Sequence, residues 1–134
     1  MPVQLKQLRI MSTVLLAFAV AQAGLGSGYL DHVRALLVAH ATNAFAVLVL
    51  TILSAIFGFN LRRAGGPSWT FFLPAALVLM AGIQVTLGFV AVRGQGGVGI
   101  HVFWGVLYLC TVTVFCSYCW RLQASDLRTG RSAA

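Results

Sequence analysis

A chain of 134 residues that is 60% hydrophobic and only 8% charged cannot cover the surface of a soluble domain, which normally carries about a quarter charged residues, so lipid is its expected solvent. The formal net charge of +7 is not a nucleic-acid footprint. The basic residues stand in short clusters between apolar runs, with no aromatics interleaved, and read as membrane-orientation signals.

Charged residues cut the chain into segments. Residues 10–30, 35–61, 64–92 and 94–120 hold no Asp, Glu, Lys or Arg, and each supplies the roughly 20 residues with which a helix crosses the hydrocarbon core. Backbone groups in lipid must be paired within the segment, which selects helices; a barrel would alternate in stretches of about ten residues. The expected fold is an all-α membrane protein, a single four-helix transmembrane domain over 1–134 with spans at about 9–28, 34–60, 69–92 and 97–121.

The first span follows Lys6 and Arg9. Its "AVAQA" also fits a signal-peptide cleavage site, but the segment carries the first copy of a repeat and is read as a retained span. A short connection with Asp31 and His32 leads to Arg34 and the second span, which contains His40. "RRAGGPS" (Arg62–Ser68) is a turn, with Pro67 just ahead of the third span. That span carries Gln84 and stops before Arg93; a Gly-rich connection enters the fourth, which carries His101. Beyond Arg121, residues 122–134 form a polar tail expected to fray. Lys6, Arg9, Arg62, Arg63, Arg121, Arg128 and Arg131 fall on one side of the membrane, and Arg34 and Arg93 on the other. Both termini are therefore expected in the cytoplasm, and the expected location is a prokaryotic plasma membrane.

"QAGLGSGYLDHVRALLVAH" (Gln22–His40) and "QVTLGFVAVRGQGGVGIH" (Gln84–His101) both begin Gln-x-x-Leu-Gly and both end on histidine. One odd-numbered and one even-numbered span per copy makes a parallel two-helix repeat, related by a pseudo-two-fold axis along the membrane normal. That axis sets His40 opposite His101, and at 1.5 Å per residue both lie roughly 6–9 Å below the outer surface. Two imidazoles at one depth suit a nearly symmetric object, a porphyrin iron with two axial ligands. The alternative is helix–helix hydrogen bonding, about 0.6 kcal/mol for such polar pairs, although ionisable residues inside a membrane are functional by default. Zinc would require three or four ligands.

Other residues of the repeat have paired readings. Gln22 and Gln84, at the depth of the histidines, bond either to a heme edge or to a neighbouring helix. Gly24, Gly26 and Gly28, with Gly82 and Gly88, remove bulk for a flat macrocycle or for close helix packing. Ala44 and Gly105, four residues after each histidine, clear room beside the imidazoles. Arg34 and Arg93 pair with heme propionates or anchor the interface. Trp104, one turn from His101, packs on a heme edge or in the core. Trp69 and Trp120 mark the inner interface. Cys110, Cys116 and Cys119 read as small hydrophobes, and His32, beside Asp31, as solvated. Asp31 and Asp126 are the only acids, so no proton relay is evident.

A Gln-x-x-Leu-Gly helix followed by a histidine helix, above all "QVTLGFVAVRGQGGVGIHVFWGVLYL", resembles the heme A synthase family of membrane proteins. The resemblance covers most of the chain and rests on a short motif. Members of that family are commonly eight-helix proteins of two similar four-helix halves, each with one histidine on its second helix and one on its fourth. His40 and His101 match those positions. The family's catalytic half has a glutamate one turn before the second-helix histidine, where this sequence has Leu37. A cysteine pair found in an outer loop of some members is also absent. The resemblance therefore implies the half that holds heme b rather than the half that oxidises a heme methyl group, since hydroxylation needs acid–base groups.

The expected function is that of a membrane cytochrome holding one bis-histidine heme b near the outer face. It would transfer electrons within a larger set of membrane redox subunits or as a homodimer. The alternatives are a half-size heme A synthase working as a homodimer, and a non-heme assembly or anchor subunit, with or without a bound quinone. Reporter fusions at both termini and at the Arg62–Arg63 turn should read cytoplasmic; an external reading at residue 64 would reverse the orientation and the depth assigned to the histidines.

Overall fold

The computed structural model describes residues 2–30 and 33–129, so the expectations for Asp31, His32 and Arg131 fall outside the described residues. Four long helices, α1 (Val3–Leu30), α2 (Arg34–Arg63), α3 (Trp69–Val92) and α4 (Val98–Arg121), are followed by a short α5 (Asp126–Thr129). All four are long and apolar enough to cross a membrane. At 24 residues, the shorter pair spans about 36 Å against a hydrocarbon core of about 30 Å. Each helix packs on two neighbours, in the ring α1–α2–α3–α4 that closes from α4 onto α1.

A single seam per helix builds the core. On α1 it runs Leu5, Leu8, Ser12, Leu15, Ala19, and on α3 Thr70, Pro74, Leu77, Ala81. On α2 it runs Val47, Thr51, Ser54, Gly58, Leu61, and on α4 Tyr108, Val112, Phe115, Cys119. Steps of three and four alternate throughout, the spacing of knobs-into-holes packing in bundles. Adding 62 to an α1 position gives its α3 counterpart, and adding 61 to an α2 position gives its α4 counterpart: Leu15 with Leu77, Ala19 with Ala81, Val47 with Tyr108, Thr51 with Val112. The parallel two-helix repeat therefore extends well beyond the quoted stretches and sets the whole packing pattern.

This core is confined to the half of the bundle that holds the start of α1 and the end of α4. Beyond the level of Ala19, Val47, Ala81 and Tyr108, Ala91 alone among the described residues is buried. The interior-facing side chains of the far half stay partly exposed.

Glycine shapes the turns. At the end of α2, Gly65 (φ 95°) donates its N–H to the Arg62 carbonyl and Gly66 donates to that of Leu61, at 3.0 and 2.9 Å. Gly94 (φ 71°) and Gln95 repeat the arrangement after α3, bonding Ala91 and Val90 at 3.1 and 3.3 Å. Both are Schellman closures, in which a left-handed residue lets two orphan carbonyls find donors. Arg9 closes the last helix. Its guanidinium donates to the carbonyls of Cys119, Trp120 and Leu122 at 3.1, 3.3 and 2.6 Å, where the helix end concentrates partial negative charge.

Element boundaries differ from expectation at three places. Helix α1 begins at Val3 rather than near residue 9, because Leu5 and Leu8 extend its seam. Helix α2 runs on to Arg63, since arginines in a last turn favour the helix dipole and reach water by snorkelling. The tail expected to fray folds back through its described part: Leu122 and Leu127 are buried in the core, and Asp126 Oδ2 accepts from the Gln123 N–H at 2.8 Å.

The tightest helix contact lies at Gly58, where an added Cβ would overlap the Thr70 carbonyl and stand 3.3 Å from Pro74 Cγ. Gly58→Ala should therefore push α2 and α3 apart and cost about 1–3 kcal/mol, read as a lower unfolding temperature in detergent. Gly24→Ala, whose Cβ would meet nothing within 4 Å, serves as the control and should leave that temperature unchanged.

Candidate functional site

The seams continue past the packed core with polar and small residues. After Ala19 on α1 come Gln22 and Gly26; after Ala81 on α3 come Gln84 and Gly88. Before Val47 on α2 come Ala44 and His40; before Tyr108 on α4 come Gly105 and His101. The heptad that buries leucines in one half of the bundle thus delivers the polar repeat to the interior of the other.

In the first hairpin the His40 ring lies against the backbone of α1. A Cβ at Gly26 would stand 3.3 Å from its Cε1 and 3.5 Å from its Nδ1. His40 Nδ1 faces the Gln22 carbonyl at 3.2 Å, and His40 Nε2 faces the Gln22 side-chain Nε2 at 3.1 Å. An amide nitrogen only donates, so His40 Nε2 is the acceptor, and the ring proton sits on Nδ1, donated to the carbonyl. Asn43 fixes the amide orientation: its Nδ2 donates to Gln22 Oε1 at 2.6 Å and to the Phe18 carbonyl at 3.0 Å.

The second hairpin repeats most of this. A Cβ at Gly88 would stand 3.2 Å from His101 Cε1, and Gln84 Nε2 faces His101 Nε2 at 3.5 Å. Trp104, in the place of Asn43, donates its indole N–H to the Met80 carbonyl at 3.0 Å, the counterpart of Phe18. An indole has one N–H and none left for the glutamine. Gln84 Oε1 is consequently buried without a hydrogen-bond partner, and His101 Nδ1 stands beside the Gln84 backbone in a looser contact than His40 makes with Gln22.

Across the bundle, between helices that are diagonal to one another, the His40 and His101 rings face each other. Their centroids are 6.2 Å apart and their planes 74° apart. A metal bound by one nitrogen of each ring, at about 2 Å per bond, would separate the centroids by about 6 Å. Beneath them a second diagonal contact joins α2 and α4: Thr51 Oγ1 donates to the Val47 carbonyl at 2.6 Å, and the Tyr108 hydroxyl donates to Thr51 Oγ1, also at 2.6 Å. Among the described residues no group of three or more His, Cys, Asp or Glu comes together, so of those residues the two imidazoles are the pair placed to share a metal.

The remaining expectations divide. Gln22 and Gln84 bond to the histidines themselves. Gly26 and Gly88 are the histidine seats, whereas Gly24 and Gly82 border open space. Gly105 makes room for Gln84 rather than for the imidazole, since its Cβ would stand 2.8 Å from Gln84 Nε2. Trp104 is anchored to α3, and Arg34 and Arg93 are exposed at the far ends of α2 and α3. Cys116 and Cys119 are buried and Cys110 is exposed. Asn43 and the Thr51–Tyr108 pair were not anticipated. An asparagine three residues after His40, inside a charge-free run, was the available signal for the first.

No protein-family model, curated protein or solved structure matches the chain.

Valine at either seat should displace the imidazole above it. Gly26→Val should release His40 from Gln22, and Gly88→Val should release His101 from Gln84. Each would appear as an altered ring-nitrogen signal in ¹⁵N-histidine spectra, with the other histidine unchanged.

Proposed function

We propose that the chain is a membrane cytochrome, holding one b-type heme between its two hairpins with His40 and His101 as axial ligands. The observation that carries this reading is the facing pair itself. Two histidines from equivalent positions of a repeat meet across the bundle axis with their centroids 6.2 Å apart, the spacing a shared metal needs. The donor set fits. His40 has the tautomer that ligates, with its Nδ1–H bonded to a backbone carbonyl as in metal-binding histidines generally, and iron would take the Nε2 lone pair in place of the Gln22 amide that it accepts from here. The far half of the bundle, where both rings lie, is the loosely packed one: beyond the level of Ala19, Val47, Ala81 and Tyr108, Ala91 alone among the described residues is buried.

Iron with both axial positions filled exchanges electrons rather than binding oxygen, and electron transfer to other membrane redox subunits is the function that follows. The resemblance to the heme b-holding half of heme A synthases points the same way. Leu37 stands where the catalytic half of that family has its acid, which favours a carrier over an enzyme that hydroxylates heme.

Protein purified after expression with adequate heme should give a low-spin bis-imidazole spectrum at one heme per chain. His40→Ala and His101→Ala should each replace it with a high-spin spectrum or lose the heme, while His32→Ala, with no counterpart in the second hairpin, should leave it intact. Absence of heme from the wild-type protein rejects the reading. Conversion of heme O to heme A by the isolated chain would replace it with the enzymatic one.

A further inference from the structure

We propose that the turn joining α2 to α3 is a binding site for an anionic phospholipid, whose phosphate is held by Arg62 and Arg63 and whose acyl chains lie along the outer face of α2. The site stands at the opposite end of the bundle from the histidines and does not depend on what they hold.

Three arginines reach this end of the bundle from α1 and α2, and they are used differently. Arg9 turns its donors inward, onto the carbonyls of Cys119, Trp120 and Leu122. Arg62 and Arg63 are exposed and rest on aromatic rings. The Arg62 guanidinium lies 4.8 Å from the Phe72 centroid and 5.9 Å from that of Phe71, and the Arg63 guanidinium lies 5.9 Å from that of Phe59. The rings touch one another, Phe59 with Phe71 at 5.5 Å and Phe71 with Phe72 at 5.3 Å, so one aromatic cluster supports both cations. A guanidinium over a ring still presents its N–H groups to an acceptor beside that ring. Among the described residues no carboxylate or carbonyl takes up the donors of Arg62 or Arg63.

Phosphate oxygens match such donors in charge and geometry, and the apolar surroundings select a phosphate that carries acyl chains. Phe59 and Phe72 are exposed, and the Phe59 face continues along α2 through Ile56 and Ile52, both exposed, at the three- and four-residue steps that keep side chains on one face. From Arg63 back to Ile52 is about 16 Å of helix, close to the hydrocarbon depth of one leaflet, about 15 Å. A headgroup at the arginines therefore sets its chains on an apolar strip of matching length. The chain's only acids are Asp31 and Asp126, while Lys6 and Arg121 add exposed positive charge at the same end. An excess of this sign beside a membrane surface attracts anionic headgroups.

The test compares two lipids on the full chain. In mixed lipid–detergent micelles, native mass spectrometry should show wild type retaining phosphatidylglycerol in preference to phosphatidylcholine with the same acyl chains. Arg62→Gln/Arg63→Gln should weaken phosphatidylglycerol binding about fivefold for each arginine removed. Lys6→Gln/Arg121→Gln removes equal charge from the same end without touching the aromatic cluster, and should leave binding nearly unchanged. Phe72→Leu keeps every charge but takes away the ring beneath Arg62, and should weaken binding measurably. Inorganic phosphate should fail to displace the lipid. An unfolding temperature equal to that of wild type in phosphatidylcholine nanodiscs establishes that each variant is folded, and the wild-type comparison stands without them. Equal retention of the two lipids by wild type overturns the proposal. So does an equal loss from both double variants, which would mean a diffuse basic end, or full binding by Phe72→Leu. Displacement by inorganic phosphate also overturns it, since the acyl chains would then contribute nothing.

Discussion

Inside a bilayer a hydrogen-bonding side chain has no water to turn to, so it must find a partner on another helix, and that requirement organises this molecule. Gln22 and His40 find each other within the first hairpin, and Gln84 and His101 within the second. Both pairings bring an imidazole close to a neighbouring helix, which glycine at positions 26 and 88 eases, since a Cβ there would stand 3.3 and 3.2 Å from the ring. The seats fix the rotation of all four helices about their axes. Once the histidines point inward, the heptad places Val47, Thr51, Tyr108 and Val112 inward too, and the apolar core follows from the polar one.

The two halves of the bundle are held differently. Around Leu15, Leu77, Val112 and Phe115 the packing is dry and close, and its strength is dispersion between well-fitted side chains, because lipid offers no hydrophobic drive for helix association. Around the histidines the contacts are few, directional and polar. A bundle of this kind keeps its architecture through one half and leaves the other more loosely packed. The diagonal Thr51–Tyr108 hydrogen bond marks the boundary, tying α2 to α4 just beneath the imidazoles.

The number of helices, their approximate spans and the parallel repeat were legible in the sequence, since charge-free runs report directly on the thickness of the bilayer. The inward faces were not legible from hydrophobicity, because lipid and core both select Leu, Val, Ile and Phe. Val47 is buried and Val49 is exposed, and nothing in the composition separates them. The period survives only in residues that lipid would reject or that packing requires to be small: Ser12, Gln22, Gly26, His40, Thr51, Ser54, Gly58. Reading those alone gives the seam. Arg9 illustrates the opposite failure. It was counted as a topology signal, which a lysine would satisfy equally, while its role at the carbonyls of Cys119 and Leu122 depends on a fold-level contact between the first and last long helices. Asn43 was passed over because a polar residue in a span has many possible partners, and only the helix rotation selects Gln22 and Phe18.

Each histidine is paired with a glutamine from its own hairpin, and this bears on how the chain is made. A membrane protein enters the bilayer as it leaves the ribosome, and the cost of inserting a polar side chain depends on whether its partner has already emerged. Here α1 precedes α2, and α3 precedes α4. By the time His40 reaches the membrane, Gln22, Gly26 and Phe18 are already in it, and the same holds for His101 with Gln84, Gly88 and Met80. Each hairpin can therefore be inserted with its imidazole already bonded and stored as a self-sufficient unit. The contact between the two rings is left as the final docking of two finished halves, and Arg9 then fastens the last helix to the first.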